Sequence, residues 1–468
     1  MERASSGVEG LDQILCGGFV RGSAYVLEGP PGAGKTILAN QFCFRQAADG
    51  GSAVYVSLLA ESHHRMIEHM SEFSFFDASL IPEKVTYLSA SSNLTTDGLG
   101  GVLRLVREET RRMGATAVIL DGVFIARNIA STEHEYQRFI YELQGIAGSQ
   151  RSVMLLIAHP RQNAELFDYP MVDGSISLHQ DLAGVVTNRS LQIGKQRGSN
   201  ILAGRHAFTL SRHGFRAFPR LESTLGGIPG DDIANTRLSL GLPSLDRMLA
   251  GGLPERSATI IMGPTGSGKT TLGLHFLARA SDANRSLFMS FYETPARLQA
   301  KAAEIGMDFS GLVATGALQI LWQPPSEIIP DEIAHQLLDQ VQRRRVTRVF
   351  IDGIVPLRDS LLPQSRLPGF VNALNSHLRD LGVTVVYSSE LRHVTMPEEL
   401  PSDEISAMID NLVILTYSQQ NGLLQRRVSI LKLRDSAFDA RAHEIHLGAS
   451  GLSFEPVTQL PGNLNAGS

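Results

Sequence analysis

The hydrophobic positions of this 468-residue chain fall into short apolar blocks separated by amphipathic stretches. Uninterrupted apolar runs bounded by turn residues are typical of buried strands, whereas apolar residues three and four positions apart are typical of helices. A glycine-rich turn joins a predicted strand to a predicted helix in each half, with strands at residues 24–27 and 258–262 and helices at residues 37–44 and 272–280. This alternation predicts an α/β fold in which each half is a mainly parallel sheet covered by helices on both faces.

Composition is that of an ordinary folded protein. Hydrophobic residues make up 43% of the sequence and charged residues 19%, which suits a chain with sizeable cores. No apolar run approaches the roughly 18 residues of a membrane span, and residues 1–20 lack the basic and apolar parts of a signal peptide. We therefore expect a cytoplasmic protein without a membrane partner.

Cysteine count and net charge exclude several classes of function. Cys16 and Cys43 are too few for a disulfide framework or a cysteine-based zinc site. The formal net charge of −5 argues against a generally basic surface for nucleic acid. The arginine run at residues 343–345 closes a predicted helix, where the helix dipole favours cations. Nucleic acid is therefore not an expected partner.

Two glycine-rich turns, the first and second phosphate loops, occupy residues 29–36 and 263–270. Their spacing turns successive backbone N–H groups onto phosphate oxygens, places a lysine on the outer phosphates and leaves a threonine hydroxyl for a metal ion. The alternative is a pair of glycine turns without a ligand. The residues expected to bind nucleotide are Gly29, Pro30, Pro31, Gly32, Ala33, Gly34, Lys35, Thr36, Gly263, Pro264, Thr265, Gly266, Ser267, Gly268, Lys269, Thr270 and Thr271.

An aspartate ends a buried strand in each half and is followed by glycine. These residues are Asp121 and Asp352. A carboxylate at the carboxyl end of a central strand, beside a phosphate loop, lies where nucleotide-bound Mg²⁺ needs a partner. Capping of a turn is the alternative, but the occurrence of the aspartate in both halves favours a metal site formed with Thr36 and Thr270.

The similarity between the halves extends beyond the loops. Gly7 and Gly241 begin matching segments and stand 241 − 7 = 234 positions apart, as do Lys35 and Lys269 (269 − 35 = 234). An ungapped match of this length indicates duplicated domains. We predict domains at residues 1–222 and 236–457, a glycine- and proline-containing linker at residues 223–235, and a flexible tail at residues 458–468.

Taken together, these motifs resemble the KaiC-like family of RecA-type ATPases. The resemblance covers both halves through a Gly-Leu-Asp-type segment, the phosphate loop, the strand-end aspartate and a Lys-x-Arg segment near each domain's end. It implies two tandem RecA-like domains with ATP and Mg²⁺ as cofactors. It also implies a homo-hexamer with ATP between neighbouring subunits, slow hydrolysis to ADP and phosphate, and a signalling protein as partner.

The resemblance also implies a catalytic glutamate. Family members carry a glutamate pair after the strand that follows the first helix, and here Tyr292 replaces the first member while Glu293 matches the second. Glu293 is expected to orient or deprotonate the attacking water. In the first half Ala60 stands opposite Glu293, and Glu61 lies one place later. Glu61 either reaches the site or serves as the first-turn acid of a helix.

The Lys-x-Arg segments are Lys195 with Arg197 and Lys432 with Arg434. The resemblance implies that they reach a neighbouring subunit's phosphates, where cations neutralise the charge that develops on the γ-phosphoryl group. An exposed basic strand edge is the alternative. The residues assigned to catalysis are Glu293, Lys269, Lys35, Glu61, Lys432, Arg434, Lys195 and Arg197.

Some functions stay open at the level of sequence. Family members phosphorylate an adjacent serine and threonine, which align here with Ser406 and Ala407, so one acceptor hydroxyl is missing. Ser406 is either a single phosphorylation site or a serine at a helix end. The alternative functions are a DNA-dependent ATPase of the RecA or RadA type and a nucleotide-bound scaffold without turnover.

Overall fold

The computed structural model describes residues 1–59, 63–159, 171–183, 186–225, 236–326, 328–391, 408–420, 422–448 and 451–457. The chain divides into two compact units, Met1–Thr224 and Leu225–Ser468, which we call the first and second domains. The linker predicted at residues 223–235 spans this division. Among the described helices, none combines the length and apolar character needed to cross a membrane.

The first domain alternates strands and helices, as the hydrophobic pattern predicts. Its strands are β1 (Arg3–Ala4), β2 (Phe19–Val20), β3 (Ala24–Glu28), β4 (Ala53–Ser57), β5 (Val85–Ser89), β6 (Ala117–Asp121), β7 (Val153–Ala158), β8 (Gly174–Ala183), β9 (Val186–Gln196), β10 (Arg205–Ser211) and β11 (Gly214–Phe218). Its α-helices are α1 (Leu11–Ile14), α2 (Lys35–Ala48), α3 (His63–Met70), α4 (Ser91–Met113), α5 (Val123–Ile129) and α6 (Glu133–Gln150). Short 3₁₀ helices occur at Ala78–Leu80 and Leu221–Ser223.

Nine strands of the first domain form one sheet in the order β11-β10-β9-β8-β3-β7-β6-β4-β5. Strands from β8 to β5 run parallel, and the strands from β8 to β11 form an antiparallel extension. Leu38 and Phe42 of α2 pack on one face, and Val102 of α4 and Leu143 of α6 pack on the other. Because helices cover both faces, the central strands are apolar throughout, which explains their uninterrupted hydrophobic runs.

The second domain repeats this arrangement. Its strands are β12 (Arg237–Leu238), β13 (Leu253–Pro254), β14 (Ala258–Gly263), β15 (Arg285–Ser290), β16 (Leu318–Trp322), β17 (Val346–Asp352), β18 (Thr384–Glu390), β19 (Asn411–Gln420), β20 (Leu423–Leu433), β21 (His443–Gly448) and β22 (Gly451–Pro456). Its α-helices are α7 (Pro243–Met248), α8 (Lys269–Leu277), α9 (Pro295–Glu304), α10 (Phe309–Ala314), α11 (Pro330–Arg344), α12 (Val355–Ser360) and α13 (Leu367–Asp380). A 3₁₀ helix spans Gln364–Arg366.

The sheet of the second domain has the order β16-β15-β17-β18-β14-β19-β20-β21-β22, which is the order of the first sheet read from its other edge. Even an irregularity is shared, because the register shifts between Ser175 and Ile176 in one domain and between Leu412 and Val413 in the other. The predicted fold class, two tandem mainly parallel α/β domains, is confirmed.

The repeated segment that precedes each phosphate loop has a structural role. Asp12 accepts hydrogen bonds from the Ser5 hydroxyl at 2.7 Å and the Ser6 amide at 2.8 Å. Asp246 accepts from Ser239 Oγ at 2.6 Å and from a backbone amide at 2.8 Å in the same way. The aspartate of the Gly-Leu-Asp-type segment therefore fixes the chain that leads into each sheet.

Candidate nucleotide-binding sites

Each phosphate loop leaves the central strand of its sheet and runs directly into a helix. The first loop joins β3 to α2, which begins at Lys35, and the second joins β14 to α8, which begins at Lys269. Gly34 and Gly268 precede these helices in the left-handed conformation, with φ of 96° and 104°, which glycine adopts without strain. The N–H groups of the first helical turn therefore face the loop, where they can bind an anion.

The loop lysines are held in the same way in both domains. Lys35 Nζ donates to the carbonyls of Gly29 at 2.5 Å and Pro30 at 2.9 Å. Lys269 Nζ donates to the corresponding carbonyls at 2.7 and 2.8 Å. Burial lowers the pKa of both lysines, and the carboxylates of Asp121 and Asp352 act in the opposite direction. Each ammonium group is thus fixed at the mouth of its loop, within reach of a phosphate.

A cavity of about 420 Å³ lies over the second phosphate loop, within the range of small-molecule sites. Besides residues 265–271, its lining includes Tyr292, Glu293, Lys301, Asp352, Glu390 and Arg426. The structure thus brings the predicted lysine, strand-end aspartate and glutamate of the second domain into one cavity.

Asp352 lies beside the hydroxyl that was predicted to bind metal with it. Thr270 Oγ1 donates to Asp352 Oδ2 at 3.0 Å, and Ser388 Oγ donates to Oδ1 at 2.6 Å. Burial raises the pKa of Asp352, while these two hydrogen bonds oppose the shift. One hydroxyl and one carboxylate are oxygen ligands of the kind Mg²⁺ prefers, and phosphate oxygens and water would complete its shell. No group of three or more His, Cys, Asp or Glu side chains suited to a metal ion occurs within the described ranges.

Glu293 follows β15 and its backbone is fixed by Ser290. The Ser290 hydroxyl accepts from the Glu293 amide at 3.2 Å and donates to the Glu293 carbonyl at 2.8 Å. The Glu293 carboxylate lies 3.0 Å from Lys301 Nζ of α9, in an ion pair whose side chains are 31% and 40% exposed. The neighbouring Tyr292 is 61% exposed and also lines the cavity. Glu293 is therefore accessible from the cavity and held on a rigid turn.

Sequence reasoning missed part of the cavity wall. Arg426 Nε donates to the carbonyl of Gly266 at 3.1 Å, and its guanidinium lies 6.0 Å from the ring centre of Tyr417. The Tyr417 hydroxyl donates to the carbonyl of Thr265 at 3.3 Å, and the Thr265 hydroxyl donates to Glu390. Tyr417 and Arg426 are a cross-strand pair of β19 and β20. The sequence could have indicated their role only through this hairpin, and only if its register had been known.

The first site has a different arrangement around its strand-end aspartate. Asp121 Oδ2 accepts a hydrogen bond of 2.6 Å from the hydroxyl of Tyr55 in β4. Glu28 ends β3, two strands away from β6, as a buried carboxylate and accepts from Ser177 Oγ at 2.7 Å. Neither contact was predicted from the sequence. Glu61, the predicted carboxylate of this domain, lies outside the described residues, as does Ala60.

The Lys-x-Arg segments lie away from the phosphate loop of their own domain. Arg434 lies 3.3 Å from Asp410, which accepts from the amide of Ala258 at 2.9 Å where β14 begins, whereas the loop leaves the other end of that strand. The two ends of this six-residue strand are five residue steps apart, or roughly 16 Å. Lys432 Nζ donates to the Ile409 carbonyl at 2.7 Å in the same region.

The first domain places its pair equivalently. Arg197 lies 3.9 Å from Asp173, which accepts from the amide of Ala24 at the start of β3 at 3.0 Å. Lys195 lies in β9, two residues before Arg197, and burial lowers its pKa, with Arg197 adding to the shift. All four predicted cations therefore lie near the starts of the central strands, at the opposite end of the sheet from their own phosphate loop.

Two other predictions concern the serine proposed for phosphorylation and the arginine run. Ser406 and Ala407 lie outside the described residues. The arginine run at residues 343–345 ends α11, where Arg343 pairs with Asp339 at 2.7 Å and Arg345 takes the left-handed conformation that closes the helix. This is the geometry expected of a solvated helix end.

Comparison with known proteins agrees with this geometry. The family model described as "ATPase: KaiC" matches residues 4–222 and residues 238–459. The circadian clock oscillator protein KaiC of Picosynechococcus sp. is 24% identical over 96% of this chain and 88% of its own length. KaiC of Synechococcus elongatus is 24% identical over 95% and 87% of the two chains, and the circadian clock protein KaiC3 of Synechocystis sp. is 23% identical over 97% and 91%. Since the family model covers both domains, the chain belongs to the KaiC family of ATPases.

Proposed function

We propose that this ATPase hydrolyses Mg·ATP slowly at its second domain, with a neighbouring subunit of a homo-hexamer supplying part of each site. One observation carries the proposal. The second phosphate loop, Asp352 and Glu293 line a single cavity, whereas Lys432 and Arg434 lie at the opposite edge of the same sheet. A site that needs all of these groups has to combine two copies of the chain.

The cavity supplies what phosphoryl transfer requires. Loop amides and Lys269 bind the phosphates and neutralise their charge. Thr270 and Asp352 would hold the Mg²⁺ that arrives with the substrate, and the ion would neutralise charge on the phosphates. Glu293 orients a water molecule and accepts its proton as the water oxygen bonds to the γ-phosphorus and the bond to ADP breaks. The products are ADP and inorganic phosphate.

Lys432 and Arg434 complete the site from the neighbouring subunit in this proposal. Cations supplied in trans stabilise the charge that builds on the γ-phosphoryl group, so turnover depends on assembly. Lys195 and Arg197 occupy the equivalent place in the first domain and serve its site in the same way. We propose that the first domain binds Mg·ATP through the first phosphate loop, Thr36 and Asp121.

A mixed-subunit experiment tests the composite site. Glu293→Gln removes the proposed base from the cavity side, and Lys432→Ala combined with Arg434→Ala removes the cations from the neighbour's side. We expect each protein alone to lose about a hundredfold in turnover. When equal amounts are dissociated and reassembled together, about one quarter of the interfaces carry both intact halves, so activity returns to that fraction.

A matched control mixes Glu293→Gln with Lys269→Ala. Both changes lie on the same side of the interface, so no reassembled interface between these variants carries an intact cavity and activity stays at the level of the single variants. Recovery in this control, or no recovery in the first mixture despite ring formation seen by native mass spectrometry, would exclude sharing of the site between subunits.

The relatives are named as circadian clock proteins, and we propose a related role as a nucleotide-dependent signal. The bound nucleotide would alter a surface that a signalling protein reads. Phosphorylation of Ser406 stays a prediction that phosphopeptide mass spectrometry can test. Turnover that single-stranded DNA leaves unchanged would separate this protein from DNA-dependent ATPases, and release of phosphate would separate it from a scaffold.

A further inference from the structure

Tyr55 is a buried phenol aimed at the strand-end aspartate of the first domain. It is 0% exposed, and its hydroxyl donates to Asp121 Oδ2 at 2.6 Å. The ring packs against Tyr87, with centres 5.5 Å apart, within the core between the sheet and α2. Because packing in the core fixes the ring, the position of the hydroxyl that donates to the carboxylate is also fixed.

The second domain has no phenol at this position. Tyr55 lies two residues before the serine that pairs with Asp121 across β4 and β6, and Phe288 lies two residues before the serine that pairs with Asp352 across β15 and β17. Strand register thus makes Tyr55 and Phe288 equivalent. Phenylalanine has no donor, so this position of β15 offers Asp352 no hydrogen bond.

The donor of the second domain comes from the strand on the other side. Ser388 of β18 donates to Asp352 Oδ1 at 2.6 Å. In the first domain Ile157 pairs with Asp121 across β6 and β7, and the register of β17 and β18, continued by one residue, places Ser388 opposite Asp352. Each domain therefore carries a buried donor to its aspartate, on β4 in the first and on β18 in the second.

A donor that is itself a candidate metal ligand and a donor buried in the core would respond differently to ligand in the two domains. In the second, Thr270 donates to Asp352 Oδ2 and is itself a candidate metal ligand, so this hydrogen bond is given up when the hydroxyl turns to a metal ion. Tyr55 is buried in the core and is no such ligand, so its hydrogen bond persists. A carboxylate held in one orientation loses less freedom on binding a ligand.

We propose that Tyr55 is a positioning residue that orients Asp121 for the metal ion of Mg·ATP and so lowers the free Mg²⁺ that the first site needs to retain nucleotide. The inference rests on the proposed role of the first site in binding Mg·ATP. Hydrogen-bond partners of metal-binding carboxylates typically change metal affinity by about 10- to 100-fold when removed. Tyr55→Phe deletes the donor and keeps the ring.

The experiment uses the full chain carrying Lys269→Ala, so that nucleotide bound with high affinity reports on the first site. Calorimetric titration of ATP at a series of MgCl₂ concentrations gives the Mg²⁺ midpoint for binding. We expect Tyr55→Phe to raise this midpoint about tenfold. Mn²⁺ bound with ATP, measured by electron paramagnetic resonance, should weaken by the same factor, a change that a purely structural tyrosine would not cause.

Tyr87→Phe is the matched control, because Tyr87 is a neighbouring partly buried phenol whose single hydroxyl proton is donated to Asn40 at 2.7 Å. An unchanged midpoint in Tyr55→Phe, or an equal shift in Tyr87→Phe, would overturn the inference while leaving the nucleotide site in place. No ATP binding by the parent at any MgCl₂ concentration would instead overturn the proposed first site, and the inference with it. Ile157→Ser, added to Tyr55→Phe, offers a hydroxyl from the opposite strand and should recover part of the shift.

Discussion

The two domains share a frame for binding phosphate but differ in the groups placed around it. Both sheets have one strand order, and both loop lysines are held by two carbonyls of their own loop. In the second domain Glu293 lines a cavity above the loop and Asp352 accepts from Thr270 and Ser388, whereas in the first a buried phenol donates to Asp121. Duplication therefore preserved the backbone framework that binds phosphate, while the side chains around it diverged. This divergence is the basis for proposing one hydrolytic and one binding site.

The largest expected effect is a difference in turnover between substitutions of the two loop lysines. Lys269→Ala should lower turnover at least a hundredfold, since it removes the cation nearest the transferred phosphoryl group in the domain that carries Glu293. Lys35→Ala should lower it less, through weaker assembly or binding. Steady-state phosphate release by both proteins measures this. The reverse order of effects would move the principal active site to the first domain.

A smaller effect concerns how each domain anchors the segment that leads into its sheet. Arg348 in the second domain donates to the Ser239 carbonyl at 2.8 Å and to the Phe276 carbonyl at 3.1 Å, whereas Gln46 in the first donates to the Ser5 carbonyl at 2.8 Å. We expect Arg348→Met to lower the free energy of unfolding of its domain by about 3 kcal/mol, because one buried and one partly buried carbonyl lose a charged donor. Gln46→Met should cost about 1 kcal/mol.

Urea unfolding tests this pair of variants. Trp322 is the single tryptophan of the chain, so its fluorescence follows the second domain, and hydrogen exchange can follow the first. Equal losses in the two domains would show that the charge on Arg348 adds nothing to the anchor.

The smallest effect is a pH dependence confined to the second domain. His275 Nε2 accepts from the Leu452 amide at 3.3 Å, where Gln41 of the first domain accepts from Phe215 at 2.8 Å. Burial lowers the pKa of His275 below its ordinary value, so the unfolded chain binds a proton more readily than the folded chain. Stability of the second domain is therefore full above about pH 6.5 and falls as pH drops from there towards the lowered folded value.

His275→Gln copies the residue of the first domain and removes the titrating group. The loss of stability between about pH 7.5 and 5.5 should shrink by less than about 1 kcal/mol, measured as the change in urea unfolding followed by Trp322 fluorescence. If the pH dependence of the variant matches that of the parent, other groups carry it.

The fold could be predicted largely from local pattern. Uninterrupted apolar runs predicted the buried strands, and the glycine spacing predicted both loops. One helix end was wrong, because α8 ends at Leu277 and not at residue 280. The family resemblance is confirmed by the matching family model. Helix ends are weakly determined by local sequence because the last turn depends on what packs against it.

Contacts that cross between strands could not be predicted in this way. Arg426 reaches the second loop only because β20 pairs with β19 in one register, and a shift of one residue would turn its side chain to the other face. The hydrogen bond between Tyr55 and Asp121 likewise joins two residues that are 66 positions apart in the sequence and lie on different strands. The Lys-x-Arg residues show the same limit, because only the sheet reveals that they lie at the opposite end of the strands from the phosphate loop of their own domain.

The sequence alone determined that the chain holds two copies of an α/β domain, each with a loop suited to phosphate, because those features depend on the conformational preferences of neighbouring residues. The tertiary structure decided which side chains surround each loop and which face away from it. That choice depends on strand order and register, which are set by packing across the whole sheet and leave only indirect traces in local sequence.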